Sequence, residues 1–380
     1  MRPILPLLLT VTACEHGLDA PPDAGTPDLA TPCTAQLSDP VTKVDVLFMV
    51  DDSAGLSDTR LRTHIPDLLK ALDDVAIAGQ KLSYHFGVVT SDLGAPGISC
   101  GSNRGAKLQQ VGAGAGAGCF GAVGKPYLEY DQASSTSNSP AGQDLATTLG
   151  CMMSVGGKGC GFEMPLEAVY RALHDPIPEN QGFLRPEAAL AVFFITDEDD
   201  CSADPTSDLF TPGTTYGPQN SFRCTRYGIV CDGALLSDVA TPAYASCRPA
   251  TAADGGKLTE VQKYISFFTQ PASRGGVKVD PRRVVVYAIS GPSSPFGTGT
   301  STGAQICGPG MPSCTTLAHS CISPNDAQLF ADPAVRLNAV VDAVPAGRVT
   351  DYCNGSVDVA LEGFAAQIAD ATAPKPLCAL

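Results

Sequence analysis

Two acidic segments, each at the end of an apolar run, hold the residues best suited to chemistry. In VDVLFMVDDSAG, residues 44–55, seven residues of buried-strand character run straight into Asp51, Asp52 and Ser53. In AVFFITDEDDCS, residues 191–202, a second run ends in Thr196, Asp197, Glu198, Asp199 and Asp200. If the two runs are neighbouring strands, their tips lie about 4.8 Å apart, so that Asp51 and Asp197 can face one cation. Left alone, two such carboxylates repel and one tends to stay protonated. Hard oxygen ligands select magnesium, calcium or manganese. The competing role for Asp51 and Asp52 is to cap the helix and turn that follow, which explains one acidic tip well and two adjacent tips poorly. For Glu198, Asp199 and Asp200 a solvated acidic turn beside the disulfide of Cys201 is favoured over direct ligation.

The elements that must position these tips are legible as apolar runs. Val44–Val50, Leu82–Val89, Ala189–Ile195 and Val284–Ile289 are near-continuous rather than alternating, as central parallel strands covered on both faces should be. Helical stripes lie between them: Leu61, Ile65, Leu68, Leu69 and Leu72, with Pro66 set to kink or restart the helix; Leu166, Val169, Tyr170 and Leu173 after Pro165; Leu258, Val261, Ile265 and Phe268; and Val357, Leu361, Phe364 and Ile368. Strands alternating with helices predict an α/β fold with a doubly wound, mostly parallel sheet. Ligands of such sheets bind beyond the carboxyl ends of the strands.

The chain has 380 residues and a formal net charge of −15, which makes nucleic acid and anionic lipid headgroups poor partners. Its fifteen cysteines include no CxxC pair with nearby histidines, so disulfides and an oxidising compartment are expected rather than zinc. Long insertions carry most of them: Cys100, Cys119, Cys151 and Cys160 in 91–162, Cys201, Cys224, Cys231 and Cys247 in 200–257, and Cys307, Cys314 and Cys321 in 291–330. The first two sets can each close on themselves; Cys353 is the expected partner for the odd third set, and Cys33 with Cys378 would join the chain ends. Sequence leaves each connectivity open. Each insertion follows the end of a predicted strand, so the stapled loops are expected to crown the site.

At the N-terminus, Arg2, the apolar run Ile4–Val11 and VTAC at 11–14 read as a signal peptide too short to span a bilayer. VTAC resembles a bacterial lipobox, which implies an exported cell-envelope lipoprotein acylated on Cys14 and held to a membrane by that lipid, with the outer membrane or cell surface ahead of the inner membrane. Residues 15–40 read as a Pro- and Asp-rich tether, 41–371 as the folded domain and 372–380 as a tail. Sharper motifs fail. GAVGKP, 121–126, lacks the spacing of a phosphate loop, GAGAGAG, 112–118, reads as flexible linker, no serine sits in a nucleophile elbow, and five scattered histidines offer no convincing base.

VDVLFMVDDSAG together with FFITDEDDCS resembles a von Willebrand factor type A domain, in the cysteine-rich lipoprotein form found in deltaproteobacteria, over roughly 41–371. The resemblance implies a Rossmann-like sheet and a metal-ion-dependent adhesion site for Mg2+ or Ca2+, made by an Asp-x-Ser-x-Ser stretch, a threonine from a later loop and an aspartate after a later strand. Asp51, Ser53 and Asp197 match. Gly55 stands where the second serine belongs and Met164 where the threonine does, so water, Glu163 or Asp92 would supply the missing oxygens. The function implied is adhesion rather than catalysis: an acidic residue of an extracellular or periplasmic protein completes the metal's shell. A metal-free envelope scaffold and a metal-dependent phosphoesterase are the alternatives.

Overall fold

The computed structural model describes residues 37–53, 62–74, 81–95, 104–211, 215–307 and 311–377. Arg2, Ile4–Val11, Cys14, Cys33, Gly55, Leu61, Cys100 and Cys378, named above, lie outside the described residues.

Seven strands form one sheet: β1 Lys43–Val50, β2 Ser83–Thr90, β3 Leu128–Asp131, β4 Thr136–Ser137, β5 Ala189–Ile195, β6 Val284–Ser290 and β7 Gly347–Asp351, in the order β7-β6-β5-β1-β2-β3-β4. The four apolar runs are its central strands, paired in parallel. β7 adds a fifth parallel strand at one edge, and the antiparallel pair β3–β4, built from the first insertion, lengthens the other. β5 is buried at every position, because both faces of the sheet are covered.

On one face, Val46, Phe48 and Val50 pack in a single core with Ile65, Leu68 and Leu72 of α1 (Ile65–Asp74), Leu149 and Met152 of α2 (Leu145–Met153), and Leu361, Phe364 and Ile368 of α7 (Val357–Thr372). On the other, Leu47 and Met49 share a core with Leu166 and Val169 of α3 (Pro165–His174), Tyr264 and Phe267 of α5 (Gln262–Thr269), and Leu337 and Val340 of α6 (Val335–Ala343); α4 (Phe222–Gly228) lies in the second insertion. Pro66 sits in the first turn of α1 and Pro165 opens α3, where a missing N–H costs nothing. Sequence periodicity placed the α5 stripe differently: its fully buried residues are Tyr264, Phe267 and Phe268, while Val261 and Ile265 are only partly covered. Aromatic bulk decides which face of this short helix enters the core.

Five bridges are described in full: Cys119–Cys151, Cys201–Cys224, Cys231–Cys247, Cys307–Cys314 and Cys321–Cys353. Cys160 is also disulfide-bonded. The second set of four closes on itself, Cys119–Cys151 is internal to the first, and Cys353 joins the third, as the cysteine spacing led us to expect. Several disulfides together fit an oxidising compartment.

The GAGAGAG repeat is not a free linker over its first half. The Gly112 amide donates to Cys151 O at 2.9 Å and the Gly114 amide to Ser154 O at 2.8 Å, laying the repeat along the end of α2 beside the Cys119–Cys151 bridge. A β-carbon on Gly112 would stand 2.0 Å from Ser154 O, whereas one on Gly116 would meet nothing within 4 Å. Gly112→Ala should therefore lower unfolding stability by about 2 kcal/mol or more, and Gly116→Ala should stay within about 0.5 kcal/mol of the parent. Urea unfolding curves of the two variants check this; equal midpoints would contradict the packed reading of the repeat.

Candidate metal centre

β1 has β2 on one side and β5 on the other, so the order of strands reverses there and the crevice at their carboxyl ends is the point where an open α/β sheet accepts a ligand. The ladder continues one residue past β1, with the Asp51 amide donating to the carbonyl of Ile195, the last residue of β5, at 3.0 Å. That bond sets Asp51 beside Thr196, whose hydroxyl donates to Asp51 Oδ2 at 2.7 Å. Asp51 Oδ1 accepts the Ser53 amide at 2.7 Å, the helix-cap style of contact expected for it. The same turn puts Asp52 inside rather than in water, and its carbonyl accepts the Gly159 amide at 2.8 Å. A β-carbon at 159 would sit 2.5 Å from Asp52 Oδ1, so this approach needs glycine.

Glu163 reaches the same place from the loop before α3. Its backbone carbonyl holds the Cys201 amide at 2.7 Å and the Met164 amide donates to Ser91 O at 2.9 Å, pinning the loop to the ends of β5 and β2. Carboxylate oxygens of Asp51, Asp52 and Glu163 lie within 4.8 Å of one another, and all three residues are buried. At their centre is the Ser91 hydroxyl, hydrogen-bonded to Glu163 Oε2 and 3.4 Å from both Asp51 Oδ1 and Asp52 Oδ1. One hydroxyl carries one proton, so it serves one of three acceptors at a time. Asp52 Oδ2 and Glu163 Oε1 are buried with no hydrogen-bond partner.

Burial pushes the Asp52 carboxyl up to about 7, helped by the charges of Asp92 and Asp51. Glu163 is driven well above its ordinary range by burial and then by Asp51 and Glu198. Asp51 is raised by burial, against the lowering effect of its own hydrogen bonds. Three enclosed oxygens of this kind fit a hard divalent cation, which would remove the charge that burial penalises.

The other residues named from sequence fall around this trio. Asp197 was expected to share the cation with Asp51 face to face; it stands outside the trio, and the carboxylates that join Asp51 there are Asp52 and Glu163. The reason is register: Val50 pairs with Ile195, so Thr196 is the residue beside Asp51 and Asp197 lies one step beyond. Asp197 is still buried, with Oδ1 unpartnered, and is pushed to about 7 by burial and by the charge of Asp51. Asp92 is buried, and its Oδ1 accepts the Gly94 amide at 2.8 Å. Ser53 is partly exposed at the rim.

The turn 198–200 is only in part the solvated acidic turn that its composition suggested: Glu198 and Asp199 are partly exposed, and Asp200 is buried. Asp199 accepts the Arg336 and Leu337 amides at 3.0 Å, anchoring the first turn of α6, and Asp200 pairs at 3.0 Å with the fully buried guanidinium of Arg336. Glu198, in contrast, is driven well above its ordinary range by burial and then by Asp51, Asp332 and Asp197. It lines, with Glu163 and Asp332, a crevice of about 20 Å³, room for one water or small ion. Sequence reasoning saw Asp52 only as a cap and overlooked Ser91, which directly follows strand β2 as Asp51 follows β1 but is set off from the second apolar run by Thr90.

Comparison with known proteins finds no family model that matches the chain and no curated protein that matches it. What the centre does is therefore argued from its own geometry.

The raised carboxyls have a signed consequence for stability. A carboxyl whose folded value is about 7, as for Asp52 and Asp197, against an ordinary 3.8 binds protons more tightly in the folded chain. Its contribution is full below pH 3.8 and is lost as the pH rises toward 7. Without metal, the melting temperature should fall between pH 5 and pH 8, and Asp52→Asn should flatten that fall. Thermal melts across that range in a chelating buffer check it; a melting temperature that rises with pH would contradict the enclosed-carboxylate reading.

Proposed function

We propose that the chain is an exported binding module with a von Willebrand A-type sheet, whose carboxylate centre takes Mg2+ or Ca2+ and through it recognises an acidic group of a protein partner. The observation that carries this reading is the trio of Asp51, Asp52 and Glu163, enclosed at the switch point of the sheet around a single hydroxyl, with two of its oxygens lacking a hydrogen-bond partner. A buried cluster kept for structure would be expected to carry hydrogen-bonded ion pairs, whereas the Arg104 guanidinium stands 3.8 Å from Asp52 Oδ2 without bonding it. Asp51, Asp52 and Glu163 would hold the ion; the hydroxyls of Ser53 and Ser91 would contribute neutral oxygen, and Asp197 and Asp92 would act through water. The ion's chemistry is that of a Lewis acid with a replaceable water, so that a partner's carboxylate can complete its shell. This moves the weight from the family's missing serine and threonine onto Glu163 and Ser91.

Specificity would lie in the stapled loops, because the sheet fixes the centre and the loops surround it. Lipid on Cys14 would hold the module to the cell envelope. No helix among the described residues is long and apolar enough to cross a membrane.

Calorimetric titration of the purified chain with Mg2+, Ca2+ and Mn2+ tests the reading. Binding is expected, with a stabilisation of about 2.7 kcal/mol at a hundred times the dissociation constant. Asp51→Asn and Glu163→Gln should abolish it while leaving the metal-free protein as stable or more stable at pH 8. No heat and no thermal shift with any ion would replace this reading with a metal-free envelope scaffold. Turnover of phosphate esters, lost in Asp51→Asn, would replace it with a metal-dependent hydrolase. Separately, Cys14→Ser should move the protein from the membrane to the soluble fraction of the cell envelope; unchanged fractionation would remove the lipid anchor from the proposal.

A further inference from the structure

We infer that Arg104 is a built-in counter-ion of the carboxylate centre, one that a divalent cation must displace from Asp52 in order to bind. This rests on the reading of the centre as a cation site. Arg104 Nε lies 3.8 Å from Asp52 Oδ2. Both atoms are buried, and neither has a hydrogen-bond partner. A locked arginine–carboxylate pair closes to about 2.8 Å and is often bidentate. Here guanidinium and carboxylate face each other across a gap that is too long for a hydrogen bond and short enough for strong Coulomb attraction.

Accessibility is asymmetric across the pair. The Asp52 side chain is 0% exposed, whereas that of Arg104 is 24% exposed, so the arginine already reaches solvent and the carboxylate does not. The Arg104 backbone is tied down, its amide donating to Asp92 O at 3.2 Å and its carbonyl accepting the Lys107 amide at 3.1 Å. Withdrawal therefore needs only rotation of the side chain. Arg104 has positive charge within ion-pair reach of Asp52, and the same oxygen is one of the two unpartnered ones a metal would use. A divalent ion among Asp51, Asp52 and Glu163 would repel the guanidinium from that position, so occupancy by one excludes the other.

The contrast with Arg336 supports the assignment. Arg336 is fully buried and bonds Asp200 Oδ2 through both Nε and a terminal nitrogen, at 3.2 and 3.0 Å. That pair is built to stay closed. Arg104 is held near its carboxylate without being joined to it.

The test measures Mn2+ affinity by calorimetry on the full chain, as wild type, Arg104→Gln, Asp52→Asn and the double variant. Removing the internal competitor should tighten Mn2+ binding roughly tenfold in Arg104→Gln. In the Asp52→Asn background the same substitution should change affinity less than about twofold, since the competition acts through Asp52. Should Arg104→Gln fail to fold, the wild-type protein still reports: the Arg104 15Nε resonance, assigned by its loss in Arg104→Lys, should shift as Mg2+ is added. Equal or weaker Mn2+ binding in Arg104→Gln, or an unmoved Nε resonance in a protein that binds Mg2+, overturns this inference alone. If neither wild type nor Arg104→Gln binds any ion, the reading of the centre as a cation site falls, and this one with it.

Discussion

Three enclosed carboxylates around one serine hydroxyl are the constraint from which the upper edge of this sheet is best understood. Ser91 can give its proton to one of Asp51, Asp52 and Glu163 at a time, and burial denies the others water. Such a cluster has three ways to persist: bind protons, recruit an internal cation, or bind an external one. The raised carboxyls of Asp52 and Glu163 are the first, and the open pair with Arg104 is a partial form of the second. Neither satisfies Asp52 Oδ2 and Glu163 Oε1, which keeps the third open.

Topology makes the cluster unavoidable once the strands pair. β1 and β2 align Val50 with Thr90, so Asp51 and Ser91 emerge at the same height; β1 and β5 align Val50 with Ile195, which brings Thr196 to the other side. Helices α1, α2 and α7 close one face and α3, α5 and α6 the other, leaving the edge as the outlet for polar side chains. The disulfides then act on this edge. Cys201–Cys224 ties the loop after β5 to α4, and Cys321–Cys353 ties a distant loop to the end of β7. By removing loop freedom from the unfolded chain, they let long polar segments stay ordered over a charged crevice that gives them little apolar surface to bury.

Much of this was legible in the residues, and the failures have physical causes. The central strands announced themselves because strands buried on both faces must be apolar throughout. β7, GRVTD, carries no such signal, since an edge strand buries less of its length. The disulfide sets were readable from cysteine grouping, because short closures within an insertion are favoured. At the site, Asp51 and Asp197 were visible as acidic tips, but register is invisible to a single sequence. A one-residue offset made Thr196 rather than Asp197 the neighbour of Asp51. Ser91 was missed because a lone serine after a strand is among the commonest of turn residues. Within the acidic run 198–200 it was Asp200 that misled, because charge suggests solvent; Arg336, more than a hundred residues away, pairs with it inside the fold, and nothing local could have revealed that.

Strand β1 contains its own control for the reading of the centre. Asp45, near its start, is as fully buried as Asp51 and Asp52 near its end. There the accounting closes: Asp45 Oδ1 accepts Arg185 Nε and Oδ2 the Arg185 amide, both at 2.7 Å, while Lys278 Nζ and His85 Nδ1 each lie 3.7 Å away. Arg185 also holds Ser83 Oγ and the carbonyl of Val44, so the fork is used up and the cluster clamps β1 to β2. A buried carboxylate kept for structure can thus look, in this same protein, like a carboxylate with every oxygen bonded and cations on more than one side. At the other end of the strand the oxygens converge on one another and the nearest guanidinium stands off. The two ends share residue type, burial and strand, and differ in whether the charge is answered from within the fold. That difference, rather than acidity alone, marks the carboxyl end as a place for a ligand.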